Sequence, residues 1–293
     1  MSKRPRGFIT DFQPRTNAGL LDRIQTVLEE YREQLPLTCR QIFYRLVGSY
    51  GYDKTELAYK RLCELLVKAR RGGLIPFDHI RDDGNSVAAP RLWDSGEEWL
   101  QAVRRQSKSV RLSPWTTQAV YVEVICEAGG MVPMLARVAD PYGVTVRSGG
   151  GFDSLTAKHD LARHYANQGD PVVVLHVGDY DPSGEALWQN LSEDVGAFCT
   201  AMGGSLEVRR IAVTKLQQEQ FDLPTAPPKA KDKRGVFTDS ITVQAEALPP
   251  DVLQEIVREA IESEMDLDAL AETRQRERET RQQLTQQLEG SNG

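Results

Sequence analysis

The chain has 293 residues, 40% of them apolar and 27% charged, with a net charge of -6. That is enough to bury a sizeable core, and the length fits two domains better than one. No run approaches about 18 apolar residues, and the basic start (Lys3, Arg4, Arg6) lacks an apolar h-region, so the expectation is a cytoplasmic protein with no membrane span.

The net charge hides an asymmetry. Residues 1–117 hold 20 Lys/Arg against 14 Asp/Glu, whereas the rest hold 16 against 28. A basic half can meet a polyanion and an acidic half can hold a cation, although two-domain proteins of other kinds show such splits too. Cys39, Cys63, Cys126 and Cys199 form no C-x-x-C pair, and the four histidines are dispersed, so no zinc constellation is visible.

Residues 1–15 read as a flexible basic arm. Leu20, Leu21, Ile24, Val27, Leu28 and Tyr31 then repeat at helical spacing, with Thr16 and Asn17 as caps and Pro36 as the stop. Thr38 can cap a second helix carrying Ile42, Phe43, Leu46 and Val47. A third runs over 55–71, with Leu57, Leu62, Leu65, Leu66 and Ala69 on an apolar face. Lys54, Lys60, Arg61, Lys68, Arg70 and Arg71 offer a basic surface for phosphate contacts. Extended stretches at 74–80 and 88–93, split by a turn at 82–85, complete three helices and a hairpin. That is the order of a winged helix-turn-helix over 16–95, though a non-binding bundle shares the pattern.

Residues 96–118 read as a linker that begins with a helix. From 119 the pattern alternates strand and helix: strands at 119–126, 144–147, 172–177 and 206–213, helices at 131–139, 154–166 and 183–202. A mostly parallel sheet follows from this order. Residues 214–240, rich in Lys, Pro and Gln, read as an ordered-to-flexible surface segment. A last strand is expected at 241–246 and a helix at 249–264. An α/β domain over 119–264 is then followed by a polar helix or tail over 265–293, expected to be solvated rather than a coiled coil.

The local chemistry concentrates in Gly178-Asp179-Tyr180-Asp181-Pro182-Ser183-Gly184. Two carboxylates follow a buried apolar strand directly, where parallel α/β sheets place their ligands. Alternate residues of an extended segment point the same way, so Asp179 and Asp181 can converge. Glu127 follows the strand at 119–126 in the same fashion. If those strands are neighbours, three carboxylates meet at one edge, and a hard cation such as Mg²⁺ relieves their repulsion. An isolated D-x-D would instead be read as an acidic helix cap.

A strand-end Glu followed by a strand-end D-x-D-P-x-G resembles the Toprim domain of topoisomerases, primases and related nucleases. Thr38-Cys39-Arg40-Gln41-Ile42-Phe43-Tyr44 resembles the T-x-R-[DE]-[IL]-Y-Y motif of the topoisomerase VI A subunit and of its relative that makes meiotic double-strand breaks. Gly151-Phe152-Asp153-Ser154, Arg210-Ile211-Ala212-Val213-Thr214, Phe221-Asp222-Leu223-Pro224 and Pro228-Lys229-Ala230-Lys231-Asp232 are similar to later segments of that family. The short length resembles its standalone versions on phages and mobile elements. The chain departs from the pattern at Gln41, Phe43 and Ala128, where the family has an acid, a tyrosine and often a lysine.

The resemblance implies a type IIB topoisomerase-like transesterase acting on duplex DNA, with Glu127, Asp179 and Asp181 holding Mg²⁺. Tyr44 is the implied nucleophile, giving a 5′-phosphotyrosyl link. Arg40, one helical turn before it, could contact the scissile phosphate. A homodimer is implied, with Tyr44 of one protomer meeting the acidic cluster of the other, nucleoid association, and a GHKL-type ATPase subunit encoded elsewhere. Two alternatives stay open: a DNA-bridging protein that does not cleave, and a Toprim nuclease that hydrolyses DNA through metal-activated water.

Overall fold

The computed structural model describes Ile9 and residues 11–81, 92–149, 155–228 and 237–290. Most of the basic arm, the turn at 82–85, most of the second hairpin strand, the 151–154 turn and residues 229–232 lie outside the described residues.

The fold is mixed α/β, mostly helical, with a four-stranded parallel sheet. The chain opens with α1 (Ala18–Glu30), β1 (Leu37–Thr38), α2 (Cys39–Tyr50), α3 (Glu56–Arg71) and β2 (Ile80–Arg81). The two short strands pair in parallel. Next come α4 (Gly96–Ser107), β3 (Tyr121–Cys126), α5 (Val132–Ala139), β4 (Thr145–Ser148), α6 (Leu155–Ala166) and β5 (Val172–Val177). The rest is α7 (Pro182–Asn190), α8 (Gly196–Ala201), β6 (Leu206–Ala212), α9 (Lys215–Gln220), α10 (Pro250–Glu264) and α11 (Leu267–Gly290).

Helix starts follow the side chains. Thr38 accepts from the Gln41 backbone N–H, and the Gln41 side chain accepts from the Thr38 N–H, a reciprocal capping box that opens α2. Gln41, where the resembled family has an acid, therefore works here as a cap. Gly51, at φ +60°, closes the same helix in the left-handed conformation. Thr55 caps α3 in the same manner as Thr38.

The sheet order is β4-β3-β5-β6. All six residues of β3 and all six of β5 are buried, as befits central strands covered on both faces. Alternation sends Val122, Val124 and Cys126 of β3, with Val173, Leu175 and Val177 of β5, to one side. There they join α5, α10 and the helices of the first part in one continuous core, which includes Ile24, Ile42, Leu46 and Leu66. Tyr121, Ile125, Val172 and Val174 point the other way, against Leu161, Tyr165 and Leu191.

Four expectations change. The segment 241–246 is not a strand: it makes two isolated bridges, Tyr180 with Val243 and Ala226 with Thr242, and then a 3₁₀ turn at Ala245–Ala247. The ladder stops because the Ala245 N–H goes to the Asp179 carboxylate at 2.8 Å. Residues 214–240 contain α9, started by a second capping box, Thr214 with Gln217. The helix expected over 183–202 is interrupted by a π turn at Leu191–Val195. Finally, α11 is not wholly solvated: it packs on α4, buries Leu270 and Thr273, and accepts the Leu112 N–H on Glu277 at 2.8 Å. No helix among the described residues is long and apolar enough to cross a membrane.

Because α2 shares its core with the sheet, Leu46, with no exposed surface, acts on both parts. Leu46→Ala should cost about 2–5 kcal/mol. Calorimetry should show one transition at lower temperature; an early, separate melting of the helical part would contradict a shared core.

Candidate functional site

The site begins with strand register. β3 and β5 are hydrogen-bonded neighbours with Cys126 opposite Val177. The next residues, Glu127 and Gly178-Asp179, therefore leave the sheet side by side, and the Glu127 N–H continues the ladder to the Val177 carbonyl at 2.8 Å. Glu127 Oε2 accepts from the Asp179 N–H at 3.1 Å, so the first carboxylate holds the backbone of the second. Asp181 caps α7, its Oδ1 accepting from the Gly184 N–H at 2.8 Å.

The glycines framing Asp179-Tyr180-Asp181 are steric requirements. A Cβ on Gly178 would fall 2.5 Å from His176 Cε1 and 2.9 Å from Glu127 Oε2. One on Gly184 would fall 2.1 Å from the Asp179 carbonyl oxygen and 3.1 Å from Glu127 Oε2. Real Cβ atoms do not come that close, so both positions must lack one if the loop is to fold tightly around Glu127.

Arg210, on β6, braces the loop from behind. Its guanidinium donates to the carbonyls of Gly178 (3.2 Å) and Val213 (3.1 Å), to the Asp179 carbonyl, and to the Glu185 carboxylate. His176, fully buried, has neither ring nitrogen hydrogen-bonded among the described residues; burial, helped by the Arg210 charge, pulls its pKa to about 3 and keeps it neutral.

The electrostatics are those of crowded acids. Burial and the Asp179 charge push the Glu127 carboxyl up to about 7. Burial, with the Asp181 charge adding to it and the Ala245 N–H opposing, pushes Asp179 up to about 6. Each of the three carboxylates spends one oxygen on a backbone N–H; Glu127 Oε1, Asp179 Oδ2 and Asp181 Oδ2 have no hydrogen bond among the described residues. Hard oxygen donors that repel one another suit Mg²⁺, so the donor set fits the ion. Among the described residues, no three His, Cys, Asp or Glu side chains already stand as a finished cation shell. Glu127 and Asp179 are in place, while Asp181 is turned partly toward its cap.

Tyr44 lies beside this cluster, in the same chain. With Lys54 it shares a cavity of about 230 Å³ lined also by Asp181, Pro182, Thr242 and Gln244. The ring is only 8% exposed, packs edge-on against Phe43 at 5.4 Å, and makes no hydrogen bond from its hydroxyl among the described residues. Burial and the charge of Asp179 push its pKa to about 12; Arg40 pulls it the other way. Arg40 donates to Gln244 Oε1 at 3.3 Å and stands 3.8 Å from Glu246 Oε2.

The basic residues divide. Lys54 belongs to the Tyr44 cavity: its ammonium donates to the Pro224 carbonyl at 2.9 Å and sits 5.6 Å from the Tyr44 ring centre. Lys60, Arg61 and Lys68 are exposed on α3, with Lys60 paired to Glu56 and Arg61 donating to Asn17 Oδ1. Arg70 and Arg71 are half-buried, and Arg70 lies over Phe77.

Sequence reading missed the segment Gln244-Ala245-Glu246-Ala247. Glu246, 5% exposed, accepts from Thr38 Oγ1 at 2.7 Å and faces Arg40. Arg45 donates to the Ala247 carbonyl, and Ala245 donates to Asp179. A carboxylate flanked by two alanines and a leucine, just before Pro249-Pro250, was the available signal: such a residue is hard to solvate, and when buried it needs a partner.

No protein-family model matches this chain, and no curated protein matches it.

With Glu127 and Asp179 raised, the folded state binds more protons than the unfolded chain between the ordinary carboxylate range and about pH 7. These two groups therefore make the cation-free protein less stable as pH rises through that window. Asp179→Asn should flatten the loss. At pH 7.5, Mg²⁺ at ten times its Kd should add about 1.4 kcal/mol, roughly 3 °C in Tm. Asp179→Asn and Gly184→Ala should both abolish that gain; an unchanged gain in both would remove the cation from this site.

Proposed function

We propose that this chain is a Mg²⁺-dependent DNA transesterase of the topoisomerase VI A type, with a winged-helix part over α1–β2 and a Toprim-type sheet domain. The observation that carries the reading is the meeting of Tyr44 and Asp181 in one cavity, beside Arg40, Glu127 and Asp179. The proposed substrate is duplex DNA, the proposed assembly a homodimer that cuts both strands, and the proposed setting the nucleoid. An ATPase subunit of the GHKL type is the proposed partner for any strand passage.

In the reaction, Tyr44 Oη attacks a backbone phosphorus. The bond from phosphorus to the 3′ oxygen breaks, the phenol loses its proton, and the 3′ oxygen gains one. A 5′-phosphotyrosyl ester and a 3′-hydroxyl result, with no net hydrolysis, so the step is reversible. A phenol raised to about 12 is a poor nucleophile at neutral pH. Arg40 and Lys54 flank it with positive charge, which favours the phenolate and the incoming phosphate alike. Mg²⁺ on the carboxylates would neutralise the Asp179 charge that raises Tyr44 and would polarise a phosphate oxygen. The exposed Lys60, Arg61 and Lys68 would hold DNA through its phosphates, so binding should weaken steeply with salt.

Incubation with supercoiled plasmid and Mg²⁺ or Mn²⁺, stopped with detergent, tests this. Wild type should give breaks bound to protein, and Tyr44→Phe and Asp179→Ala should each reduce them by about two orders of magnitude or more. Cleavage that survives Tyr44→Phe but not Asp179→Ala would mean hydrolysis by metal-activated water. Salt-sensitive binding without breaks from any variant would mean a bridging protein.

A further inference from the structure

We propose that Tyr44 serves the carboxylates of its own chain, so that each copy of this protein carries a complete cleavage site. The inference rests on the transesterase reading and concerns where the nucleophile comes from; the family resemblance implies the opposite, a tyrosine delivered by the partner.

Three observations carry it. The cavity that receives Tyr44 is closed by Asp181, Thr242 and Gln244 of the same chain. The helix bearing Tyr44 is then tied to the loop bearing Asp179 by one short segment, 244–247. Three of its residues grip α2: Gln244 accepts from Arg40, Glu246 from Thr38 Oγ1, and the Ala247 carbonyl from Arg45. The fourth, Ala245, donates to Asp179 Oδ1 at 2.8 Å. Tyr44 and Asp179 are thus two ends of one hydrogen-bonded clamp.

The clamp is also buried. Glu246, Thr38 and Arg45 are 5%, 7% and 8% exposed, and Ile42 and Leu46 on the same helix are fully inside the core shared with the sheet. Swinging α2 toward another copy would leave a buried carboxylate and a buried guanidinium without these partners, and such losses are strongly destabilising. The Tyr44 hydroxyl, by contrast, has no bond to break among the described residues. The tyrosine is held at its own acidic cluster with its reactive atom left available.

Tyr44→Phe and Asp179→Ala chains, co-expressed with different tags and purified as mixed assemblies, decide between the two arrangements. With sites complete in each chain, neither variant can complement the other, and protein-linked breaks stay at background. A site shared between copies would instead rebuild one intact site in each mixed dimer, restoring about a quarter of wild-type single-strand breaks on random pairing. That restoration would overturn the inference while leaving the transesterase reading intact.

A second measurement does not depend on cleavage. Tyr44→Cys with Thr242→Cys is treated with a short bifunctional thiol reagent in an equal mixture of isotopically heavy and light chains. Linked 44–242 peptides should be all-heavy or all-light; heavy–light pairs in statistical proportion would overturn the inference. Intrachain links from a protein whose wild type makes no breaks would retire the transesterase reading and keep the single-chain cavity.

Discussion

Glu127 and Asp179 carry like charges, and the sheet forces them together. Parallel pairing of β3 with β5, Cys126 against Val177, leaves the two residues no other place to emerge. Gly178 and Gly184 let the loop close tightly over Glu127, and Arg210 fastens its carbonyls from the opposite side. The cost of this crowding is visible in the upward pull on both carboxyls. A fold that spends stability on repelling acids at a strand-end crevice gains by it only when a cation or proton resolves the repulsion. Every other part of the site is arranged around that tension.

The second constraint is the clamp at 244–247. It converts a position on a helix more than 130 residues earlier in the chain into a neighbour of Asp179. Thr38 has two tasks here. It caps α2, and its hydroxyl donates to Glu246, so the start of the helix and its attachment to the sheet domain are set by one side chain. Arg40 is oriented by Gln244 and Glu246 rather than left to solvent, which places a cation near Tyr44. Long-range contacts of this kind make the two parts of the chain one mechanical unit around a shared core.

The sheet was legible in the sequence because its strands are continuous apolar runs with turn residues at each end. Val172–Val177 is the clearest case, six buried residues between Asp170-Pro171 and Gly178. The acidic strand ends followed from that, since register and direction fix what emerges after residue 177. The segment after β6 was illegible for two reasons. The helix α9 is short and polar and depends on the capping box of Thr214 and Gln217, a local signal hidden among Lys, Gln and Pro. The apolar run at 241–248 looked like a strand because it has strand composition, yet its backbone N–H at Ala245 is taken by Asp179. Tertiary hydrogen bonding overrode local propensity there. Lys54 was likewise read as part of the α3 surface, because nothing in the sequence shows that it folds under Pro224 and over Tyr44.

The central claim is that the strand-end carboxylates bind a divalent cation within reach of Tyr44. Incorporating fluorotyrosine at position 44 alone and titrating with paramagnetic Mn²⁺ reads this directly. The fluorine signal should broaden beyond detection in the wild-type background and stay sharp when Asp179 is replaced by Asn. A signal that remains sharp at Mn²⁺ concentrations that saturate the protein would contradict the account.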